Sequence, residues 1–196
     1  MAENRHAHEF DELLNGYRAL KLRMIQQAAI MAINHFKASF TNQGFTDQAL
    51  VKWPARKGGP NNKVRALLVG TGPGAGTLKR GVRIKHTSID GATVGVDEGI
   101  PYAEIHNFGG EIKITAQMRR FFWAMYYKYG GGQKTARGTP KQLSETAQFY
   151  LNLAISKKDH ITIPKRQFIG DSAILERNIK DYITDELNKY FKVDEQ

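Results

Sequence analysis

The sequence predicts an α+β fold built from a long N-terminal helix, a small antiparallel sheet, a helical insertion and a C-terminal helix. Three observations lead there. An apolar stripe at helical spacing runs through residues 8–40. Two short segments of alternating apolar residues flank a turn sequence near the middle. A second amphipathic stripe closes the chain. At 196 residues the chain is long enough for one domain with a real core and too short for two large ones, so residues 1–196 are expected to form a single domain with an insertion at about 116–158.

Each element has its own signature. In the first helix Phe10, Leu13, Leu14, Tyr17, Leu20, Met24, Ile25, Ala28, Met31 and Ala32 recur every three or four residues and draw one stripe. Gly16 weakens its first turns, and Gly44 is expected to end the pattern. WPARKGGPNNKVR (53–65) reads as an exposed loop, followed by the short apolar patch 67–69 and a run of glycines. In GVRIKH, residues Val82, Ile84 and His86 share a face. Ala92, Val94 and Val96 do the same in ATVGVD, and SIDG between them supplies the turn of an antiparallel hairpin.

EIKIT (111–115) is a short alternating strand. MRRFFWAMYYKYG (118–130) is an aromatic helix stopped by Gly130, Gly131 and Gly132. TPKQLSETAQFYLNLAISKK (139–158) begins with Thr139 and Pro140, as helices often do, and continues through Leu143, Ala147, Tyr150, Leu151 and Ala154. HITIP is a strand closed by Pro164. The last helix carries Ala173, Ile174, Ile179, Ile183, Leu187, Tyr190 and Phe191 on one face, with Asp171 or Ser172 as its cap.

Composition excludes several classes. No apolar run approaches the roughly 18–20 residues of a membrane helix, so no membrane partner is expected. MAENRHAHEFDELLNGY lacks the design of a secretory signal. With 0 cysteines there are no disulfides or thiolate metal sites, which fits folding in a reducing cytoplasm. The net charge of +10 is uneven: residues 51–170 hold twenty bases against seven acids, whereas residues 171–196 hold four against seven. Such a basic block attracts phosphate by counterion release, or is simply a solvated surface.

The candidate chemistry is thin. In GTGPGAGTLKR, Gly74 precedes Lys79 by five, but Leu78 stands where a phosphate loop needs glycine and Arg80 where it needs a hydroxyl. Gly70 and Gly72 begin a dinucleotide fingerprint that no strong helix pattern continues. His6, His8, His35, His86, His106 and His160 form no His-Glu-x-x-His pair, and His106 lies two residues after Glu104, a spacing unsuited to ligand pairing on a helix. No catalytic, cofactor or metal residues are therefore assigned, and the chain is not expected to be an enzyme. FFWAMYYKY offers rings that stack bases in single-strand binders. The helical spacing of Phe122, Met125, Tyr126 and Tyr129 favours instead a helix buried by its neighbours or by another subunit.

IPYAEIHNFGG (100–110), followed after an intervening segment by ITIPKRQFIGDS (161–172), resembles the paired signature of the phage virion morphogenesis family, the Mu-like and P2-like tail completion proteins. The matching positions are Tyr102, Ala103, Ile105, His106, Phe108, Gly109 and Gly110, then Ile163, Pro164, Arg166, Phe168 and Gly170. Ile169 departs from the usual leucine. The order of elements agrees as well, with an apolar run ending near Thr71 and Gly72 and Leu78 opening the first strand of the hairpin. The likeness is weakest over 116–160 and in the loop after Trp53.

The resemblance implies a structural protein of a tailed phage or prophage, assembled in the host cytoplasm and carried in the tail or neck of the virion. Relatives of this kind cap the tail tube as rings, commonly hexamers, and prepare head–tail joining; free subunits stay monomeric until they meet the growing structure. The expected partners are tail-tube and head or neck proteins together with further copies of this chain, through a heterologous interface. On this reading Gly109 and Gly110 permit a sharp turn, and Tyr102, Ile105, His106 and Phe108 pack it against the sheet. Pro164 ends a strand, and Arg166 and Phe168 reach a neighbouring element of the same or the next subunit. Two alternatives stand beside it: a head–tail connector or neck protein, and a nucleic-acid-binding module in which the basic block contacts DNA.

Overall fold

The computed structural model describes residues 2–56, 66–69 and 76–191, with side chains from His8 onward. It is α+β. Helix α1 (Ala2–Asn42) is followed by strands β1 (Gly44–Thr46) and β2 (Leu50–Lys52), the short helix α2 (Thr77–Gly81), and strands β3 (Val82–Ser88) and β4 (Gly91–Val96). Then come α3 (Ala103–Phe108), β5 (Gly110–Lys113), α4 (Ala116–Lys128), α5 (Glu145–Ile155), β6 (His160–Ile163) and α6 (Ala173–Phe191). The expected small sheet is three separate antiparallel ladders, β1–β2, β3–β4 and β5–β6.

Helix α1 has 41 residues and is therefore about 60 Å long at 1.5 Å per residue. The C-terminal part of its stripe is buried, with Leu20, Met24, Phe36 and Phe40 in the core, while Phe10, Leu13 and Tyr17 at the other end remain exposed. The helix ends at Asn42, two residues before Gly44. Gln43 takes the left-handed conformation (φ 52°), and its side-chain amide donates to the Phe40 and Leu67 carbonyls and accepts from the Leu67 N–H. A long polar side chain thus replaces the expected glycine by bonding the backbone that leaves the helix. Gly44 is needed for another reason: a Cβ there would lie 2.5 Å from the Val51 carbonyl across the ladder.

Helix α6 runs back along α1. Ser172, not Asp171, is its cap: the Oγ accepts from the Leu175 N–H at 3.2 Å and donates to the Thr46 carbonyl at 2.9 Å. At the far end the Tyr190 hydroxyl donates to the Leu13 carbonyl at 3.1 Å, across Gly16. A Cβ on Gly16 would sit 2.7 Å from that hydroxyl, so the glycine makes room for the tyrosine.

The central hairpin forms as expected, with Val82 opposite Val96 and Ile84 opposite Val94. A β-bulge between Ile84 and His86 then shifts the alternation by one, so His86 faces solvent and Thr87 turns inward. Leu78 does not open a strand; it lies in α2, 3% exposed, and β3 begins at Val82. Trp53 belongs to the core and not to an exposed loop: its indole N–H donates to the Gln167 carbonyl, and its ring meets Phe40 edge-on at 5.7 Å. The glycine run 70–75 and residues 57–65 lie outside the described residues.

Between β5 and β6 the chain builds a separate arm. Ile114, Phe122 and Ala154 form its small core, flanked by Met118, Tyr150, Leu153 and Ile161. Arg119 of α4 donates to the Ser156 carbonyl at 2.6 Å and to the Lys158 carbonyl at 2.8 Å, satisfying the chain as it leaves α5. Helix α5 starts later than Thr139. Pro140 sits in a bridge with Lys134, and Ser144 caps the helix by accepting from the Ala147 N–H. Of the stripe Phe122, Met125, Tyr126 and Tyr129, Phe122 is buried in this chain, Met125 and Tyr126 are half-buried and Tyr129 is exposed, as are Phe121, Trp123 and Tyr127 beside it.

Phe168 is the test of this core. It is 0% exposed and packs on Phe40 at 5.2 Å. Phe168→Ala should cost about 3–5 kcal/mol in urea unfolding, against about 1–3 kcal/mol for Ser172→Ala, which loses the cap and the bond to the Thr46 carbonyl.

Candidate functional site

The two motif segments, about sixty residues apart in sequence, form one structure. The first half is not a bare turn. Residues 103–108 make a helical turn, α3, whose inward residues are Ala103 and Asn107. Asn107 joins the halves: its Oδ1 accepts from the Phe168 N–H at 2.9 Å and the Ile169 N–H at 3.1 Å, while its Nδ2 donates to the Ile169 carbonyl at 3.1 Å. The backbone adds a fourth link, from the Arg166 N–H to the His106 carbonyl at 2.8 Å. Among the described residues, the 164–170 segment has no ladder partner, so these bonds satisfy amide groups that would otherwise be buried unpaired.

Both glycines of the first motif are required by their backbone. Gly109 has φ 75°, and a Cβ there would stand 2.8 Å from the Lys165 nitrogen, so the second segment passes where a side chain would be. Gly110, at φ 155°, opens β5 and pairs with Ile163, next to Pro164, which ends β6. Gly170 has φ 148°, with the Gln167 side chain folded over it.

The remaining motif residues separate. Ile105 is half-buried and lies against Gly110. Tyr102 and Phe108 do not pack the turn against a sheet: they are 45% and 67% exposed, because α3 turns them outward and Ala103 and Asn107 inward. Phe168 enters the core of its own chain beside Phe40. Arg166, 8% exposed, donates from Nε to the Pro54 carbonyl at 3.1 Å, again within the same chain. Asn107 was missed in the sequence because it occupies an unspecified position of the motif; its place between a helical turn and Gly109 was the available signal.

Burial, and secondly the Arg166 charge, hold the His106 imidazole below its ordinary range. Its Nδ1 is buried and has no hydrogen-bond partner among the described residues. Its ring meets that of Tyr102 edge-on at 6.1 Å. Burial also lowers Arg166, with the Arg56 charge as the second cause. His106 therefore sits neutral in the same cavity lining as Arg56 and Arg166, packed against Tyr102. The other described histidines are scattered. His35 bonds the Thr46 carbonyl, His160 meets the neighbouring Asp159, and His8 meets Glu12 on the same helix. Among the described residues no three His, Asp or Glu side chains gather as metal ligands would.

Comparison of the chain with family models, with curated proteins and with solved structures finds no match.

Two outcomes follow from the clamp. Asn107→Ala leaves the Phe168 and Ile169 amides without their acceptor and should cost about 2–4 kcal/mol in denaturant unfolding, well above an exposed control such as Asn152→Ala. His106 has a lower pKa folded than unfolded, so the unfolded state binds the proton more readily. Its contribution is complete above about pH 6.5 and is lost as pH falls through the lower folded value. Thermal melts from pH 7.5 to 5 should show this loss, and His106→Gln should flatten it.

Proposed function

We propose that this chain is a structural assembly protein of a tailed phage or prophage, acting in tail completion by capping the tail tube as a ring and preparing head–tail joining. The observation that carries the reading is the paired signature, whose two halves share one clamp through Asn107, Gly109 and the 164–170 segment. Residues far apart in sequence that serve a single local geometry are a firmer ground for a family resemblance than two unrelated strings.

The role is one of binding. A ring needs two different patches on each subunit. The exposed aromatic side of α4 and the uncovered start of α1, with Phe10, Leu13 and Tyr17, are the apolar surfaces offered for it. The protein mixed with tail tubes and viewed by electron microscopy should give closed tube ends bearing a ring, and tubes should stop elongating. Tubes that elongate with bare ends would overturn the proposal.

One observation favours a second reading, contact with nucleic acid. Residues 116–158 carry eight bases and one acid, on an arm that also exposes Phe121, Trp123, Tyr127 and Tyr129. Cationic charge beside exposed rings is the surface that single-stranded nucleic acid stacks on. Binding to an oligonucleotide should then weaken steeply with salt, and Trp123→Ala with Tyr127→Ala should weaken it further. A slope near zero in log K against log salt removes this reading.

A further inference from the structure

A cavity of about 330 Å³ lies where the clamp meets α2, and its polar lining is cationic. Arg56, Arg166 and His106 face it, Tyr102 and Thr77 add hydroxyl groups, and Leu78 contributes an apolar wall. No carboxylate belongs to its described lining.

The arginines carry the argument. Arg166 is 8% exposed and is fixed at Nε by the Pro54 carbonyl. Its remaining guanidinium N–H groups have no protein partner among the described residues, and neither does Arg56. A nearly buried cation without a counter-charge is costly, and such an arginine ordinarily faces an anion; here Arg166 is the buried one and Arg56 is half-buried. Arg56 and Arg166 line the same cavity, where burial and the Arg56 charge together disfavour the charged form of Arg166. An anion between them would relieve that repulsion. The guanidinium fork suits carboxylate and phosphate alike. Donors from two arginines, with the Tyr102 hydroxyl at another point of the wall, suit a tetrahedral acceptor better than a planar one.

We propose that this cavity binds a phosphate-type oxoanion, either inorganic phosphate or a phosphate monoester, with Arg56 and Arg166 as its charged ligands. Fixing Arg166 from both sides, by Pro54 and by the anion, would tie the 164–170 segment to the chain after Trp53. The site does not depend on the assembly role, and either can fail without the other.

The test is calorimetric titration of the full chain with inorganic phosphate and, separately, with phenyl phosphate, at an ionic strength held constant with sodium chloride. Saturable binding to a single site is expected, with a melting temperature that rises with phosphate concentration. Arg56→Gln, which spares the core, should weaken binding by about tenfold or more, and Arg166→Lys should weaken it several-fold while the chain remains folded. Tighter binding of phenyl phosphate would assign the site to monoesters, and tighter binding of inorganic phosphate to the free ion. Arg137→Gln, an exposed position on the arm, should bind as the parent does. No saturable heat above the chloride control, or equal weakening by Arg137→Gln and Arg56→Gln, overturns the proposal.

Discussion

The rest of the structure hangs on one polar clamp, the Asn107 carboxamide against the backbone of Phe168 and Ile169. An extended segment that crosses a core without a strand partner must find acceptors for its amides, or carry the cost of burying them. One side chain meets that need here. With it in place Phe168 enters the core beside Phe40, Arg166 reaches Pro54, and the Gln167 carbonyl meets Trp53. Ser172 then arrives at Thr46 to start α6. The C-terminal helix thus lies along α1 because a segment before it is held by a turn sixty residues earlier.

The same clamp makes the arm possible. Gly110 pairs with Ile163 directly beside it, so β5 and β6 leave the body together as the foot of a stem. What lies between them closes on itself, through its own small core and through Arg119 bonding the carbonyls after α5. An arm anchored at one point can change in length and surface without disturbing the body. That fits its different chemistry, a strongly basic surface with exposed rings on a chain whose C-terminal part is acidic.

Much of this was legible in the sequence. The stripe of α1, the alternation of β3 and β4 up to the bulge, and short strands near 111–115 and 160–164 follow from side-chain period, although β5 ends at Lys113 and Thr115 caps α4. The failures have particular causes. His86 was placed inward because strict alternation cannot register a bulge, and one extra residue reverses every later side chain. Thr139 and Pro140 looked like a helix start, but Ser144 holds the true cap, and Pro140 is tied into a bridge with Lys134. Tyr102 and Phe108 were placed against the sheet on the family reading, whereas helical geometry put Ala103 and Asn107 inside.

By itself the sequence determined the class of the fold and the order of its longer helices and of the β3–β4 hairpin, because period and glycine placement are local properties of the chain; it did not determine β1, β2, α2 or α3. Only the tertiary structure decided that the motifs form a single clamp, that Asn107 holds it, and that Arg56 and Arg166 share a cavity with no carboxylate in its described lining. Those facts depend on which backbone groups lack a ladder partner and on which charges come to face each other. Neither is a property of any one stretch of sequence, since each arises when segments distant in the chain are buried together.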